Sequence, residues 1–386
     1  MARPMGPVRL RKTNYVTLTI GACLCLFILY FLVQPGSNTA ASSSNSPNTN
    51  PPPIRKPAVS RSKLIGDRPP VRRFNLNNVT ITPDPIENRE VVLILTPMAR
   101  FYQEYWDNLL TLDYPHELIS LGFILPKNKE GNAATTALQA QVSKVQKGAL
   151  KNRFRSVVIE RQDFDSPITS QNEGERHKME NQKARRSSMS RARNSLLFTT
   201  LGVETSWVLW LDADIIETPS SLIQDLAAHD KPLIVPNCYQ RYTDPETGKP
   251  AERPYDFNSW QDSPTAQEIA AKMDPDDIIL EGYREMATYR SLMAYMADQE
   301  DERDVEVALD GVGGTALLVK ADVHRDGAMF PPFPFYNLIE TEGFAKMAKR
   351  LGWAATGLPN YKVSALANLL LVSLHLFADL TLGLPL

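Results

Sequence analysis

Two carboxylates, Asp212 and Asp214, stand with one residue between them at the end of the apolar run Ser206-Trp207-Val208-Leu209-Trp210-Leu211. An unbroken apolar run reads as a buried strand. A strand that ends on Asp-x-Asp presents two hard oxygen donors at its carboxyl end, where open α/β sheets hold their ligands. Hard divalent cations carrying a diphosphate take such donors. Most isolated Asp-x-Asp pairs are solvated turn residues; Trp207, Trp210 and the continuous apolar lead-in set this pair apart.

If the ligand is a sugar nucleotide, it reacts by losing its diphosphate, and charge developing on that leaving group has to be neutralised. A cation on Asp212 and Asp214, together with basic side chains from a nearby helix, would supply the neutralisation. The segment just before the Asp-x-Asp strand carries Lys183, Arg185, Arg186, Arg191 and Arg193. Helical spacing cannot turn all of them inward. Arg191, Arg193 and Asn194 lie nearest the apolar half of that segment and are the candidates for the nucleotide side, with the other basic residues expected in solvent. A charged surface helix is the competing reading. Arg100 and Tyr102, just after the first apolar run, are placed to meet nucleobase or ribose. Glu340 and Glu342 follow the aromatic, proline-rich run 330–336. Carboxylates beside such walls suit a sugar pocket, although a charge at a helix N-terminus is the commoner use of a residue like Glu340.

Buried apolar runs at Val91–Leu95, Leu118–Leu125, Ser156–Glu160 and the one ending at Asp214 read as strands. Helical segments are expected at Phe101–Leu112, Ala133–Lys147 and Arg176–Leu201. Strand alternating with helix predicts an α/β domain with a mostly parallel sheet, its first half a nucleotide-binding layer. The second half is less regular. Residues 232–235 read as a strand, 244–249 as a turn, and 263–304, rich in acidic and helix-favouring residues, as surface helices or a mobile cover. The glycines of Gly311-Val312-Gly313-Gly314 precede another strand and either allow close backbone approach beside an acceptor or mark a plain β-bulge.

Residues Val16–Val33 are uncharged and mostly apolar. At about 1.5 Å per residue such a helix just spans a hydrocarbon core. Arg3, Arg9, Arg11 and Lys12 precede it and no Lys or Arg follows until Arg55, which keeps residues 1–15 cytosolic and sends the rest across. A cleaved signal peptide would be shorter and end at a small-x-small site, which Gln34-Pro35-Gly36 does not offer. The expectation is a type II signal anchor followed by a disordered luminal stem over 34–87, rich in Ser, Asn and Pro, with a glycosylation sequon at Asn78-Val79-Thr80. Of the three cysteines, Cys23 and Cys25 fall in the anchor, so Cys238 has no disulfide partner in the luminal part. A net charge of −2 argues against nucleic acid and against a polybasic membrane surface.

The stretches 91–101, 192–202, 207–215, 281–290, 309–319 and 330–353, taken in order, closely resemble the fungal mannan polymerase mannosyltransferases, glycosyltransferase family 62. The resemblance runs from about Asn88 to Val363. It implies a GT-A fold over 88–363, GDP-mannose as donor, Mn²⁺, and a retaining transfer in a Golgi complex of several mannosyltransferase subunits that extends α-1,6-linked mannan on N-glycans. It implies Asp212 and Asp214 as metal and diphosphate residues and Arg100 as a nucleotide contact. Asp310 and the Gly311–Thr315 turn would line the acceptor side, with Glu340 and Glu342 at the mannose.

The family pattern continues after Val363 with a short strand whose histidine completes the metal site, whereas this chain runs Ser364-Ala365-Leu366-Ala367. His375 lies further on and out of register. Loss of a ligand weakens a metal site, so a non-catalytic scaffold subunit of the same complex is the alternative reading. The atypical apolar tail 364–386 reads as a second membrane segment, a strand of the core or non-native sequence, the last favoured because the resemblance stops within one residue; deletion of the closing strand would leave a hydrophobic surface exposed.

Overall fold

The first half of the domain alternates buried strand and amphipathic helix: β1 (Val91–Pro97), α1 (Gln103–Leu110), β2 (Ile119–Leu125), α2 (Lys129–Gln146), β3 (Ser156–Arg161), α3 (Met179–Thr200) and β4 (Thr205–Leu211). The second half continues with β5 (Ile215–Glu217), α4 (Leu222–Ala228), β6 (Leu233–Thr243), β7 (Pro250–Pro254), β8 (Trp260–Gln261), α5 (Pro264–Lys272) and β9 (Ser291–Leu292). It ends with β10 (Val307–Leu309), β11 (Ala316–Lys320), α6 (Ala321–Arg325), α7 (Glu340–Arg350) and β12 (Ala355–Ala365). The structure is a computed structural model that describes residues 71, 73–162, 179–244, 247–283 and 286–366. Apart from Val71, these belong to one unit, Arg72–Leu386.

Ten strands form one sheet in the order β3-β2-β1-β4-β11-β6-β12-β10, with β5 on β12 and β7 on β6. β3, β2, β1 and β4 are parallel, as are β6 and β12. β11 runs against both β4 and β6 and joins the two halves. The sheet is therefore the expected α/β, mostly parallel one, with a reversed strand at its centre. The end of β4 and the beginning of β11 consequently meet at one edge, where the Asp212 amide donates to the Thr315 carbonyl at 2.9 Å.

Period-two alternation divides the core between the faces of the sheet. Val92, Ile94, Trp207 and Leu209 pack with Trp106, Leu109 and Leu138 on one side. Leu93, Leu95, Val208 and Trp210 pack with Leu196, Leu197, Phe330 and Phe344 on the other. Both faces of β1 and β4 are covered by helices, which is why these strands read as continuous apolar runs.

Several boundaries differ from expectation. β4 stops at Leu211, so the two aspartates occupy the turn between β4 and β5 rather than the strand end itself. α2 starts at Lys129, ahead of the expected Ala133, because the Asn128 side chain caps it by accepting from the Gly131 amide at 2.8 Å. Only one α-helix, α5, forms among the described residues of 263–304; apart from β9 and a one-turn 3-10 helix at Met293–Tyr295 the remainder is irregular, and it buries Ile279, Leu280, Glu281 and Arg290. Residues 73–87, expected in the stem, are described and tied to the domain: the Tyr114 hydroxyl donates to the carbonyls of Pro85 and Glu90 at 3.1 and 2.6 Å. The Glu90 carboxylate accepts from the Thr82 amide and from Trp207 Nε1. Hydrogen bonding rather than apolar bulk holds this segment, so its composition does not reveal it.

β12 runs through Ala365 and pairs with β5, and the Leu366 amide donates to the Asp214 carbonyl at 2.8 Å. Cys238 is a free, buried cysteine. The anchor over 16–33, most of the stem and the tail beyond Leu366 with His375 lie outside the described residues. Among the described residues no helix is long and apolar enough to cross a membrane.

Candidate active site

Helix α3 supplies the charge that meets the Asp-x-Asp turn. Seven residues apart, Arg186 and Arg193 lie on one face two turns from each other, and both are buried. Arg193, 1% exposed, donates from Nη2 to Asp212 Oδ1 at 2.9 Å and from Nε to Glu340 Oε1 at 3.4 Å. Its guanidinium lies 5.4 Å from the Trp210 ring centroid and 5.5 Å from that of Phe330. Arg186 donates to Glu342 Oε2 at 2.5 Å and to Asn258 Oδ1 at 3.0 Å. The same helix is fastened to the backbone of the proline-rich run. Asn194 donates to the Phe330 carbonyl and accepts from its amide, and the Ser187 and Ser190 hydroxyls donate to Pro332 and Pro331.

Glu340 and Glu342 occupy the first turn of α7, as their alternative reading anticipated, but their carboxylates answer the two arginines. Glu342, 0% exposed, also accepts from Trp260 Nε1 at 2.9 Å. Enclosure of this size holds the Glu342 carboxyl above its ordinary value, with Arg186 and Arg290 pulling the other way. Both glutamates frame the arginines through these ion pairs.

Asp212 remains 26% exposed at the turn. Its desolvated surroundings push its carboxyl up to about 7, with Arg193 opposing and the negative charges of Asp214 and Glu340 adding to the rise. Asp214 Oδ2 accepts from the Tyr255 hydroxyl at 2.8 Å, and burial together with Asp214 raises that phenol well above its usual range. Next to Tyr255, the buried Asp256 accepts from Thr315 Oγ1 at 3.0 Å and from the Asn258 amide at 2.9 Å. The glycines after Asp310 make room for these side chains. A Cβ on Gly313 would overlap the Asp256 carboxylate, one on Gly311 the Trp260 ring, and one on Gly314 would sit 2.8 Å from Arg193 Nη2. The protein's own site residues, rather than a ligand, occupy the space that the glycines leave.

A divalent cation fits this donor set. Asp212 and Asp214 are hard oxygen donors in one turn, and the upward displacement of Asp212 comes first from its desolvation, with the negative charges of Asp214 and Glu340 adding to it against Arg193, a charge that a bound cation would offset. Among the described residues no group of three His, Cys, Asp or Glu forms a complete cage.

The other expected residues fall elsewhere. Arg191 is exposed on the opposite side of α3 from Arg193. Asn194 has both amide atoms on the Phe330 backbone, so it positions the helix instead of meeting a donor. Arg100 is exposed and paired with Glu130 at 3.3 Å, which raises its pKa further. Asp310 is bound by Lys349 at 2.6 Å and by the Asp262 amide at 2.9 Å, outside the arginine–carboxylate cluster, and these contacts hold its carboxyl below the usual range. Sequence reasoning missed Arg186, Tyr255, Asp256 and Trp260. The seven-residue spacing to Arg193 marks Arg186; nothing local marks the other three.

The model of the Anp1 family matches residues 70–334. The chain is 57% identical over 290 residues to the mannan polymerase complex subunit mnn9 of Schizosaccharomyces pombe, covering 75% of this chain and 84% of that one. The chain belongs to the Anp1 family. This is the family of fungal mannan polymerase mannosyltransferases whose motifs the sequence resembles. Identity to the mannan polymerase complex subunit MNN9 of Candida albicans is 53%, over 76% of this chain and 79% of the relative. The mannan polymerase I complex VAN1 subunit of Saccharomyces cerevisiae is 36% identical over 76% of this chain and 63% of its own length. The Anp1 match begins at residue 70, which agrees with the anchoring of residues 73–87 to the domain. Among solved structures, the mannosyltransferase PcManGT of Pyrobaculum calidifontis, in complex with GDP-Man and Mn²⁺, aligns with a TM-score of 0.38 at 11% identity. That alignment covers 74% of this chain and 59% of PcManGT, a likeness too slight to carry an argument.

Proposed function

We propose that this Anp1-family chain is a subunit of a mannan polymerase, built on a GT-A-type fold, that transfers mannose from GDP-mannose to α-1,6-linked mannan on N-glycans with retention. It would act on the luminal side of the Golgi membrane, held by the segment at 16–33. The observation that carries the reading is the Asp212–Asp214 turn, held by the buried Arg193 and crowded with negative charge at the edge where β4 meets β11. Family membership supports the choice of mannose chemistry.

Asp212 and Asp214 would hold Mn²⁺, which when bound supplies positive charge to a diphosphate leaving group. Arg193 fixes the Asp212 carboxylate through one guanidinium edge while Trp210 and Phe330 confine the guanidinium. Tyr255 fixes Asp214 from the other side of the turn. Thr315, bonded through its carbonyl to the Asp212 amide and through its hydroxyl to Asp256, ties the two halves of the site together. Preorganisation of this kind keeps the donors in place before charge develops.

The incomplete set of ligating side chains among the described residues favours a second reading, a scaffold subunit of the same complex. Mannose transfer from GDP-mannose to an α-mannoside, measured with the full chain and a partner subunit with and without Mn²⁺, separates the two. Transfer that disappears in Asp212→Ala/Asp214→Ala while the complex still assembles supports the enzyme. Transfer by the complex that is indifferent to that double substitution identifies a scaffold.

A further inference from the structure

Two neighbouring aromatic rings stand outside the clusters of the apolar core. Phe257 and Tyr295 lie with centroids 5.8 Å apart and planes inclined at 31°. Tyr295 is 69% exposed and Phe257 is partly exposed, and neither belongs to a core cluster. A single exposed ring is ordinary surface. These two come from separate segments, and each segment is pinned by buried polar contacts.

Phe257 lies between Asp256, which accepts from Thr315, and Asn258, which accepts from Arg186. Two residues earlier, the Tyr255 hydroxyl donates to Asp214. Asp256 and Asn258 on either side of Phe257 thus bond Thr315 and Arg186 of the candidate site, and the backbone that carries the Phe257 ring borders it. Tyr295 closes a one-turn 3-10 helix, Met293–Tyr295. The Met293 amide donates to the Ser259 carbonyl at 2.9 Å, its carbonyl accepts from Asn237 Nδ2 at 3.3 Å, and its buried side chain packs on Gly357. The backbone under both rings is thus fixed, while the rings themselves lie open.

We propose that Phe257 and Tyr295 form an aromatic platform on which a pyranose ring of the acceptor saccharide packs beside the Asp212–Asp214 turn, a proposal that rests on the glycosyltransferase reading above. A pyranose presents a face of C–H bonds ringed by hydroxyls, and a preformed aromatic surface binds that face while leaving the hydroxyls to solvent or to polar neighbours. The platform lies on the side of β6 and β7, beyond β11, and not on the side of β1–β3, where Arg100 follows the first strand. This position favours the acceptor over the nucleobase. Rings already held in place lose little freedom on binding, which suits a polymerising enzyme that must grip successive, chemically identical units.

The test is direct binding of α-1,6-mannotriose to the full detergent-solubilised chain without donor, read by saturation-transfer NMR, with GDP-mannose affinity in Mn²⁺ measured in parallel. Tyr295→Ala removes an exposed ring and is expected to weaken mannotriose binding by about tenfold, while Tyr295→Phe keeps parental affinity. Phe257→Ala is expected to act in the same direction, and GDP-mannose affinity stays at the parental value in all three. Parental mannotriose affinity in Tyr295→Ala, absence of mannotriose binding by the parent chain, or a loss confined to GDP-mannose would overturn the platform. A parent chain that binds mannotriose through these rings and does not bind GDP-mannose would leave the platform standing and defeat the glycosyltransferase reading instead.

Discussion

Replacement of Arg193 by methionine tests whether the charged frame is a buried assembly or a surface decoration. Methionine retains most of the aliphatic bulk between Trp210 and Phe330 and removes only the guanidinium. An exposed ion pair contributes about 0–1 kcal/mol, whereas breaking a buried pair by deleting one partner costs about 3–5 kcal/mol because the other charge is left in place without compensation. Arg193 is 1% exposed and faces Glu340 at 8%, but Asp212 keeps 26% of its surface and is partly rehydrated when orphaned. The expected loss is therefore at the lower end, about 3 kcal/mol, read as a shift of the urea midpoint in the purified chain. The more deeply buried orphan is Glu340, so adding Glu340→Gln to Arg193→Met should return about 1–2 kcal/mol, a coupling expected of residues in direct contact. A midpoint for Arg193→Met within about 1 kcal/mol of the parent would refute the buried-frame argument.

His324 sets an acid limit on the same core. Burial lowers it from 6.5 to about 4; its Nε2 accepts from Trp210 Nε1 and its Nδ1–H donates to the Ala328 carbonyl. Because the unfolded chain takes up this proton first, stability is intact above pH 6.5 and falls by up to about 3 kcal/mol as the pH drops towards 4. His324→Phe should lack that part of the slope in pH-dependent urea melts, and identical slopes would count against it. Gly313→Ala should cost about 1–3 kcal/mol by forcing Asp256 off Thr315. Gly202→Ala, whose Cβ meets only Thr205 Oγ1 at 3.6 Å, should stay within about 0.5 kcal/mol in the same melts.

The strands covered by helices on both faces, β1, β2 and β4, were legible because full burial writes a continuous apolar run. The aspartate pair was legible for the same reason, although the turn that carries it was not. Its hydrogen bonds run to Thr315 and Leu366, distant in sequence, and strand propensity does not register them. Helical geometry separates Arg191 from Arg193: two residues apart on a helix means nearly opposite faces, while seven apart, as in Arg186 and Arg193, means the same face. The glutamates of α7 were found, but their partners were not. Only the fold brings α3 and α7 together, so the sequence suggested a pocket where the structure has two buried ion pairs. Asp256 and Tyr255 sit in an unremarkable stretch after β7, where their importance comes from long-range contacts alone.

The charged interior behind the turn argues for geometry over stability. Buried ion pairs are a poor way to stabilise a fold, since apolar residues of equal volume commonly do as well or better. Here Arg186, Arg193 and Arg290 are all enclosed, each against a glutamate, and Arg290 lies 3.5 Å from the centroid of the Trp260 ring that donates to Glu342. Arg193 carries this frame to the turn through Asp212, the member of its carboxylate pair that keeps appreciable exposure. At the end of β12 the chain holds the same turn through its backbone: the Leu366 amide donates to the Asp214 carbonyl, and Gln240 Nε2 donates to the Leu366 carbonyl at 3.0 Å. These bonds fix the shape of the aspartate turn from its second side. With the turn framed in this way, cation affinity at Asp212 and Asp214 is set by ligand number and not by fold, and a diphosphate would add the hard oxygen donors that two carboxylates alone do not supply.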